Sequence, residues 1–201
     1  MNYNISKADI NLLPLKSFEG KITIVSSDKD AVRALKYLEK ESYIGFDSES
    51  KPAFKKGEIN PIALIQLAGK NEVFIFRILE TGVFPQLKKI LEDSDIMKIS
   101  QSADFELKKL KREKDIDCRN FIDLEKIAKK INSSQHSLRG LVAIFLNFRI
   151  SKTSQQSNWE RKILTAKQIL YAATDAWVTR EVFEEMNHAN LIKNLNQFQI
   201  R

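Results

Sequence analysis

The chain has 201 residues, of which 43% are hydrophobic and 29% charged, with only 6 glycines and 4 prolines. This composition suits one globular domain and excludes disordered, collagen-like and low-complexity chains. The single cysteine, Cys118, excludes an intrachain disulfide and a multi-cysteine zinc site. The N-terminus lacks an apolar signal core, and the apolar run at 141–146 is far too short to span a bilayer. We therefore expect a soluble, cytoplasmic protein.

Positive charge is concentrated in the second half of the chain. The net charge is +7, and residues 105–167 alone carry 15 Lys or Arg against 7 Asp or Glu. A basic stretch of this kind favours a polyanionic partner such as nucleic acid. The segment Lys108-Lys109-Leu110-Lys111-Arg112 has two interpretations of equal weight, a surface that follows phosphates or a solvated helix face.

The hydrophobic pattern predicts strands first and helices later. Residues 1–20 are interpreted as a loose N-terminal arm with a few anchoring hydrophobes, and residues 21–201 as a single domain. Apolar runs predict strands at 22–25, 43–47, 62–68, 73–76 and 96–100, with a further short strand possible at 116–118. Helical periodicity predicts helices after Ser27 and Pro85, and at 104–110, 123–131, 137–146 and 165–187. This order indicates an α/β fold, a mixed central sheet of about five strands flanked by helices.

Asp47 and Glu49 are the first chemically informative pair. They lie two residues apart at the end of a predicted strand, where this spacing places both carboxylates on one face. Two adjacent carboxylates repel each other unless one is protonated or a cation lies between them, and Mg²⁺ or Mn²⁺ prefers such oxygen ligands. The pair by itself, however, is more typical of an acidic, solvated loop.

Two further acidic positions lie on predicted helices. Tyr171 and Asp175 are four residues apart, so they share one helix face. Asp104 opens the helix that follows the strand at 96–100. Taken singly, these residues favour ordinary roles: a core tyrosine beside a surface aspartate, and a helix-start acid that interacts with the helix dipole.

In combination, these segments resemble the tyrosine subtype of the DEDD superfamily of 3′-5′ exonucleases. Phe46-Asp47-Ser48-Glu49 is similar to its first motif, Lys98 to Leu110 to its second, and Tyr171-Ala172-Ala173-Thr174-Asp175-Ala176 to its third. The segment Ser157-Asn158-Trp159-Glu160-Arg161, followed by Leu164-Thr165-Ala166-Lys167-Gln168, is similar to one shared by ribonuclease D-like enzymes and the Werner-syndrome exonuclease domain. The resemblance covers about residues 22–187.

The resemblance implies a ribonuclease H-like fold and a 3′-5′ exonuclease that uses two Mg²⁺ or Mn²⁺ ions. It implies that the ions are bound by Asp47, Glu49, Asp104 and Asp175, and that Tyr171 orients the attacking water. Ser48, Trp159 and Arg161 are the candidates for substrate binding, Trp159 either by stacking on a base or as a core strut. The partner is nucleic acid with a single-stranded or recessed 3′ end, with no role for a membrane. The connection from Lys98 to Asp104 departs from the family pattern because it lacks glycine.

Several alternatives accompany this interpretation. Ser-Asn-Trp and the Asp-Ala-Trp after the third motif favour DNA, with ribonuclease D-like processing of RNA 3′ ends as the alternative. A non-catalytic nucleic-acid-binding module is disfavoured because all four acids and the tyrosine are present. A ribonuclease H-type endonuclease would leave Tyr171 unexplained. As catalytic groups, His136, His188 and Cys118 are disfavoured, since none lies in a supporting motif.

Overall fold

The centre of the molecule is a six-stranded mixed sheet. The computed structural model describes residues 3–55 and 57–200. The strands are β1 (Lys21–Val25), β2 (Tyr43–Ser50), β3 (Ile62–Ala68), β4 (Glu72–Phe76), β5 (Met97–Ser100) and β6 (Phe121–Asp123). Their spatial order is β1-β4-β3-β2-β5-β6. Strand β3 is antiparallel to β2 and β4, whereas the β1–β4, β2–β5 and β5–β6 pairs are parallel. The predicted mixed sheet is confirmed.

Eight helices and one 3₁₀ turn surround the sheet within the described residues. They are α1 (Lys7–Leu12), α2 (Asp28–Leu38), α3 (Ile78–Thr81), α4 (Pro85–Glu92), α5 (Asp104–Lys114), α6 (Leu124–Lys130), α7 (Leu138–Leu146), α8 (Ala166–His188) and the 3₁₀ turn Leu195–Phe198. Side chains cap the helices where the sequence predicts their starts, for example Ser27 before α2 and Thr165 before α8, which forms a capping box with Gln168. None of these helices is long and apolar enough to cross a membrane.

The sixth strand lies at a different position from the one predicted. The short strand expected at 116–118 is absent, and β6 lies at Phe121–Asp123 instead, paired with β5. Helix α5 ends at Lys114, and the next residue, Asp115, has a left-handed φ of 50°, so the chain turns sharply after the helix. The buried Ile116 then donates its backbone N–H to Leu110 of α5 and so belongs to this turn and not to the sheet.

Helix α8 lies directly on one face of the sheet, and α2, α4 and α5 pack on the other. The contact of α8 with β2 is close because Gly45 has no side chain. A Cβ atom at Gly45 would lie 2.0 Å from the carbonyl oxygen of Ala176. Small residues of α8, Ala172, Ala173 and Ala176, are fully buried in this contact. The third-motif segment is therefore held against the end of β2.

The N-terminal residues pack on the domain through a few fixed points. Ile10 and Phe18 are buried, at 4% and 6% exposure. Residues 13–18, here called the N-terminal strap, run beside Arg149, and Leu15 forms a parallel bridge with Arg149. The division into an arm of residues 1–20 and a domain of residues 21–201 stays a prediction, and Met1, Asn2 and Arg201 lie outside the described residues.

Candidate metal centre

Three of the four predicted acids meet at one edge of the sheet. Strands β2 and β5 are parallel, so the end of β2 and the start of α5, which follows β5, lie at the same edge. Helix α8 crosses this edge above Gly45. Carboxylate oxygens of Asp47, Glu49 and Asp175 all lie within 4.8 Å of one another. Side chains alternate along β2, and residues four apart share a face of α8. Acids from two motifs that are distant in the sequence therefore meet here.

Crowding of these acids in a buried position disfavours their negative charges. Burial, followed by the charge of Asp175, raises the pKa of Asp47 well above its usual value. Burial, with the charges of Asp47 and Asp175, raises the pKa of Glu49 to about 10. Burial also raises the pKa of Asp175 to about 7, although a hydrogen bond from Tyr171 and the charge of Lys152 act against this rise. A cation would relieve the repulsion.

The donor set of the cluster fits a hard divalent cation. All its members are carboxylates, the ligands that Mg²⁺ and Mn²⁺ prefer over nitrogen or sulfur. In addition, the Oδ1 atom of Asp175 is buried and has no hydrogen-bond partner among the described residues. A buried carboxylate oxygen without a partner is costly unless a ligand satisfies it. The residues present therefore suit a metal site.

Tyr171 is held at the cluster as a hydrogen-bond donor. It lies one helical turn before Asp175, and burial and the charge of Asp175 raise the pKa of its hydroxyl far above the usual value. The hydroxyl therefore keeps its proton and cannot act as a base at neutral pH. Its ring packs against Trp159, with 5.9 Å between ring centroids, which fixes the direction of the hydroxyl.

Trp159 supports Tyr171 and does not present a face to the substrate. Its side chain is only 1% exposed, so the predicted stacking of Trp159 on a base is wrong in this structure, and the alternative of a core strut holds. Arg161 lies in an exposed turn whose backbone carbonyl accepts a hydrogen bond from Arg77. The Ser48 side chain lies on the opposite face of β2 from Asp47 and Glu49, because side chains alternate along a strand.

Asp104 lies outside the cluster of three carboxylates in this structure, and its role as a metal ligand stays a prediction. Its carboxylate forms an ion pair with Lys108 at 2.6 Å, and its side chain is 52% exposed. It borders a separate cavity that Lys111 and Cys118 also line. Asp104 lies at the first position of α5, and the helix turns it toward solvent.

Glu106, two residues further along α5, lies outside the three-acid cluster as well but acts on it electrostatically. Burial raises the pKa of its carboxyl group, and its Oε2 atom is buried without a hydrogen-bond partner in the described part of the chain. The charge of Glu106 in turn contributes to the raised pKa values of Asp47 and Glu49. Glu106 is thus the acid of α5 whose charge affects the pKa values of Asp47 and Glu49.

A signal for Glu106 was present in the sequence. Ala103, Glu106, Leu107 and Leu110 follow the i, i+3, i+4, i+7 spacing of a helix face that packs inward, and Ala103, Leu107 and Leu110 are indeed buried. Asp104 falls outside this stripe. The helical phase therefore distinguishes the two acids, whereas the motif resemblance alone selects the aspartate.

The connection from β5 to α5 lacks glycine, but it still makes a left-handed turn. Ser102 has φ of 55°, a conformation that glycine adopts more readily. Its backbone N–H donates to Asp123 Oδ1 at 3.1 Å, and its hydroxyl contacts Glu125. These hydrogen bonds from Ser102 to residues of β6 and α6 hold the turn that precedes α5.

Gln66 is a further buried polar residue beside the cluster. It pairs with Asp47 in the β2–β3 ladder, and directly opposite residues in such a ladder project to the same face. Gln66 is fully buried, and neither polar atom of its amide has a hydrogen-bond partner in the described residues. Its amide provides polar surroundings for Asp47 that the sequence analysis did not single out.

The residues that the sequence analysis disfavoured lie away from the cluster. His188 pairs with Glu185 on the exposed end of α8, and His136 is exposed before α7. Burial raises the pKa of the Cys118 thiol to about 12, so it stays protonated and is a poor nucleophile.

The lysines of the basic segment 108–112 of α5 differ in exposure: some lie at the surface and one is buried. Lys108 and Lys111 form ion pairs with Asp104 and Asp117. Lys109 is buried, at 4% exposure, and its ammonium contacts the backbone carbonyl of Asn60. Lys109 therefore has a structural role and cannot follow a phosphate backbone.

The topology identifies the class of the fold. The structure is similar to that of the Nibbler EXO domain of Aedes aegypti, with a TM-score of 0.76 and 23% identity over 87% of this chain and 94% of that one. It is also similar to Escherichia coli RNase D, described as an exoribonuclease in structured RNA processing, with a TM-score of 0.73 and 19% identity over 86% of this chain and 47% of that one. The fold is ribonuclease H-like, as predicted.

The sequence itself assigns the family. A family model described as 3′-5′ exonuclease matches residues 22–189. The bifunctional 3′-5′ exonuclease/ATP-dependent helicase WRN of Mus musculus is 34% identical over 151 residues, which are 72% of this chain and 11% of WRN. The chain thus corresponds to a small part of that relative. It belongs to the 3′-5′ exonuclease family.

Proposed function

We propose that the protein removes nucleotides one at a time from single-stranded or recessed 3′ ends of DNA, with two Mg²⁺ or Mn²⁺ ions, in the cytoplasm. The observation that carries this proposal is the cluster of Asp47, Glu49 and Asp175, whose oxygens lie within 4.8 Å of one another, beside a protonated tyrosine. Clustered carboxylates of this kind suit phosphodiester hydrolysis, since the cations they bind offset the charge of the phosphate.

We further propose that Glu106 is the fourth carboxylate of the centre, in the role that the sequence assigns to Asp104. Its buried, unpartnered oxygen and its electrostatic effect on Asp47 and Glu49 support this assignment. Divalent cations bound by these acids would lower the pKa of a water molecule and stabilise the negative charge on the leaving oxygen.

The protein's own residues supply position and hydrogen bonds for the reaction. The Tyr171 hydroxyl, kept protonated by its surroundings, donates a hydrogen bond that orients the attacking water. The oxygen of the water bonds to phosphorus, and the bond from phosphorus to the 3′ oxygen of the preceding nucleotide breaks. That oxygen gains a proton, and the last nucleotide leaves as a 5′-monophosphate.

DNA is the proposed substrate, and RNA is the alternative. The relative at 34% identity is named a bifunctional exonuclease and helicase, and the Ser157-Asn158-Trp159 segment favours the same branch. The likeness to RNase D, at 19% identity, extends to the fold alone. A preference for DNA therefore has the stronger support.

The test compares matched DNA and RNA oligonucleotides that carry a label at either end. In Mg²⁺ or Mn²⁺, 5′-labelled DNA should give a ladder that shortens by single nucleotides, and 3′-labelled DNA should release its label at once as a mononucleotide. EDTA should stop both reactions. A kcat/KM that is higher for RNA than for DNA would replace the proposed substrate with the alternative.

The control is the Asp47→Asn variant, prepared in parallel, which distinguishes this activity from a contaminating nuclease. Labelled oligonucleotides longer than one nucleotide, released from 3′-labelled DNA, would contradict an exonuclease. Equal activity of the wild type and the Asp47→Asn variant would show that the cluster is not the reaction centre.

A further inference from the structure

Gln66 lies in a strand that is otherwise entirely apolar. Strand β3 has the sequence Ile-Ala-Leu-Ile-Gln-Leu-Ala, and all of its residues are buried. The Gln66 side chain is fully buried, and neither its amide nitrogen nor its amide oxygen has a hydrogen-bond partner among the described residues. A buried amide without a hydrogen bond is costly for the fold, so its presence in β3 requires a compensating role.

Gln66 differs in this respect from the other buried polar side chains of the sheet. Each of those forms a hydrogen bond with another side chain or with the backbone; they are Glu72, Lys98, Ser100 and Asp123. The sheet therefore satisfies its buried polar groups in general, and Gln66 is the exception on the strands that the structure describes. This exception lies beside the metal centre, which indicates that its partner belongs to that centre.

The strand pairing places one polar neighbour next to Gln66. Side chains at directly opposite positions of an antiparallel pair project to the same face, with their Cβ atoms about 4.5–5.5 Å apart. Gln66 is opposite Asp47 on β2 and opposite Ile75 on β4. Along β3, the neighbours on the same face are Leu64 and Ala68, which belong with Ile75 to the apolar layer under α8. Of these neighbours in the sheet, only Asp47 is polar.

The amide of Gln66 and the carboxylate of Asp47 are chemically complementary. An ionised carboxylate only accepts hydrogen bonds, at about four lone-pair sites, so it can bind a cation and still accept a bond from an N–H. The NH₂ group of Gln66 supplies such an N–H from the interior of the sheet. A hydrogen bond there restricts the rotation of the Asp47 carboxylate and keeps its remaining lone pairs directed to the cluster.

We propose that Gln66 is a positioning residue of the metal centre, whose amide N–H donates to the Asp47 carboxylate and holds it in the orientation that binds the cation. The proposal rests on the metal-dependent function proposed above. Gln66 contacts neither the substrate nor the reacting atoms and acts only through Asp47. Its amide thus lowers the stability of the metal-free fold and raises the affinity for the cation.

The test measures Mn²⁺ binding to the full chain without nucleic acid, by electron paramagnetic resonance of the free ion. The variant is Gln66→Met, which keeps an unbranched side chain of similar length and removes the amide. Its matched control is Ile75→Val, which changes the same apolar layer on the other side of Gln66. Loss of the hydrogen bond to Asp47 should weaken Mn²⁺ binding about tenfold in Gln66→Met, whereas Ile75→Val should keep the wild-type affinity.

Thermal unfolding in EDTA separates positioning from a purely structural role. Gln66→Met removes a buried amide that has no partner, so its unfolding temperature should equal or exceed that of the wild type. A lower unfolding temperature together with wild-type Mn²⁺ affinity would show that Gln66 only packs in the core, and would overturn the proposal. If Gln66→Met does not fold, Gln66→Leu takes its place with the same criterion.

The Asp47→Asn background tests whether Gln66 acts through Asp47. In that background, Gln66→Met should weaken Mn²⁺ binding by less than about twofold, because the carboxylate that it positions is gone. A loss as large as in the wild-type background would overturn the proposal. A wild type that binds Mn²⁺ more tightly than Gln66→Met but degrades no oligonucleotide refutes only the proposed function, whereas equal Mn²⁺ affinities in an active wild type and Gln66→Met refute only the role of Gln66.

Discussion

Two pairs of acids with the same spacing behave differently in this molecule. Asp47 and Glu49 lie two residues apart on β2, and their oxygens meet in one cluster. Asp104 and Glu106 also lie two residues apart, on α5, but Asp104 pairs with Lys108 at the surface, whereas the charge of Glu106 raises the pKa of Glu49. Successive side chains alternate along a strand, whereas two residues rotate a helical side chain by about 200°. The spacing of two residues therefore shows whether their side chains share a face only when the secondary structure is known.

The comparison also explains why the motif resemblance and the helical phase favour different acids of α5. The resemblance selects a position by residue type and order, and both favour the aspartate that opens α5. The inward face of that helix is instead fixed by Ala103, Leu107 and Leu110, which place the glutamate toward β2.

We expect the largest effect on activity from a change in the acid pair of β2, Asp47 and Glu49. Replacing Asp47 with Asn should lower kcat on the order of 10³-fold or more, because it removes a carboxylate that binds the cations, and the charge stabilisation by those cations is worth several kcal/mol. The same change removes one of the mutually repelling carboxylates, so the EDTA-treated variant should unfold at a slightly higher temperature than the wild type. Kinetics in Mg²⁺ and thermal unfolding in EDTA test both expectations. A lower unfolding temperature would indicate that Asp47 is a structural partner.

Mutation should clearly distinguish the two acids of α5, Asp104 and Glu106, by their effects on activity. Glu106→Gln should lower kcat on the order of 10²–10³-fold and raise the Mg²⁺ concentration needed for half-maximal activity, since it removes a metal ligand. Asp104→Asn is the matched control and should stay within about twofold of the wild type, because it loses only an exposed ion pair. Measured together in one Mg²⁺ titration, the two variants decide the assignment. The reverse order of effects would restore Asp104 to the site.

The helical pair Tyr171 and Asp175 extends the comparison to a spacing of four, which keeps both residues on one face. Tyr171→Phe should lower kcat about 10²-fold with little change in KM, because a misplaced nucleophile costs about that much. Its metal affinity should not change, whereas Asp175→Asn should bind Mn²⁺ more weakly and regain activity at high Mn²⁺. Wild-type turnover in Tyr171→Phe would show that the tyrosine only packs against Trp159.

The smallest effect concerns the stability of the metal-free cluster at different pH values. The pKa values of Glu49 and Asp175 are about 10 and about 7 in the folded protein, against 4.5 and 3.8 as reference values. At any pH between the reference pKa and the folded pKa of each group, the folded state binds more protons than the unfolded state. The free energy of unfolding therefore falls as the pH rises through this range. In EDTA, the unfolding temperature should drop by about 3 °C or more between pH 6 and pH 9.

The Glu49→Gln variant serves as the control for this pH series. Its unfolding temperature should fall less between pH 6 and pH 9 than that of the wild type, because one of the titrating groups is gone. Mg²⁺ should reduce the drop in the wild type. Identical pH profiles of the two proteins in EDTA would show that Glu49 does not lie in a buried cluster of like charges.

The sequence by itself determined the parts of this protein that depend on local patterns. Alternation and helical periodicity locate β2 and α8, and Gly45 and the alanines of α8 permit their close contact. The strand spacing of Asp47 and Glu49 and the helical spacing of Tyr171 and Asp175 each fix a shared face. Motif order then identifies the exonuclease family, which the family match over residues 22–189 confirms.

Only the tertiary structure decided which side chains from separate elements meet. The helical phase of α5 distinguishes Asp104 from Glu106 in the sequence, but the packing of Leu107 and Leu110 in the core fixes the rotation of the helix about its axis. The burial of Trp159 under Tyr171 and of Lys109 under the Asn60 carbonyl likewise depends on neighbours distant in the chain. The hydrogen bond from Phe18 to Thr174 joins the strap to α8 next to Asp175, a contact across 156 residues that no local pattern encodes.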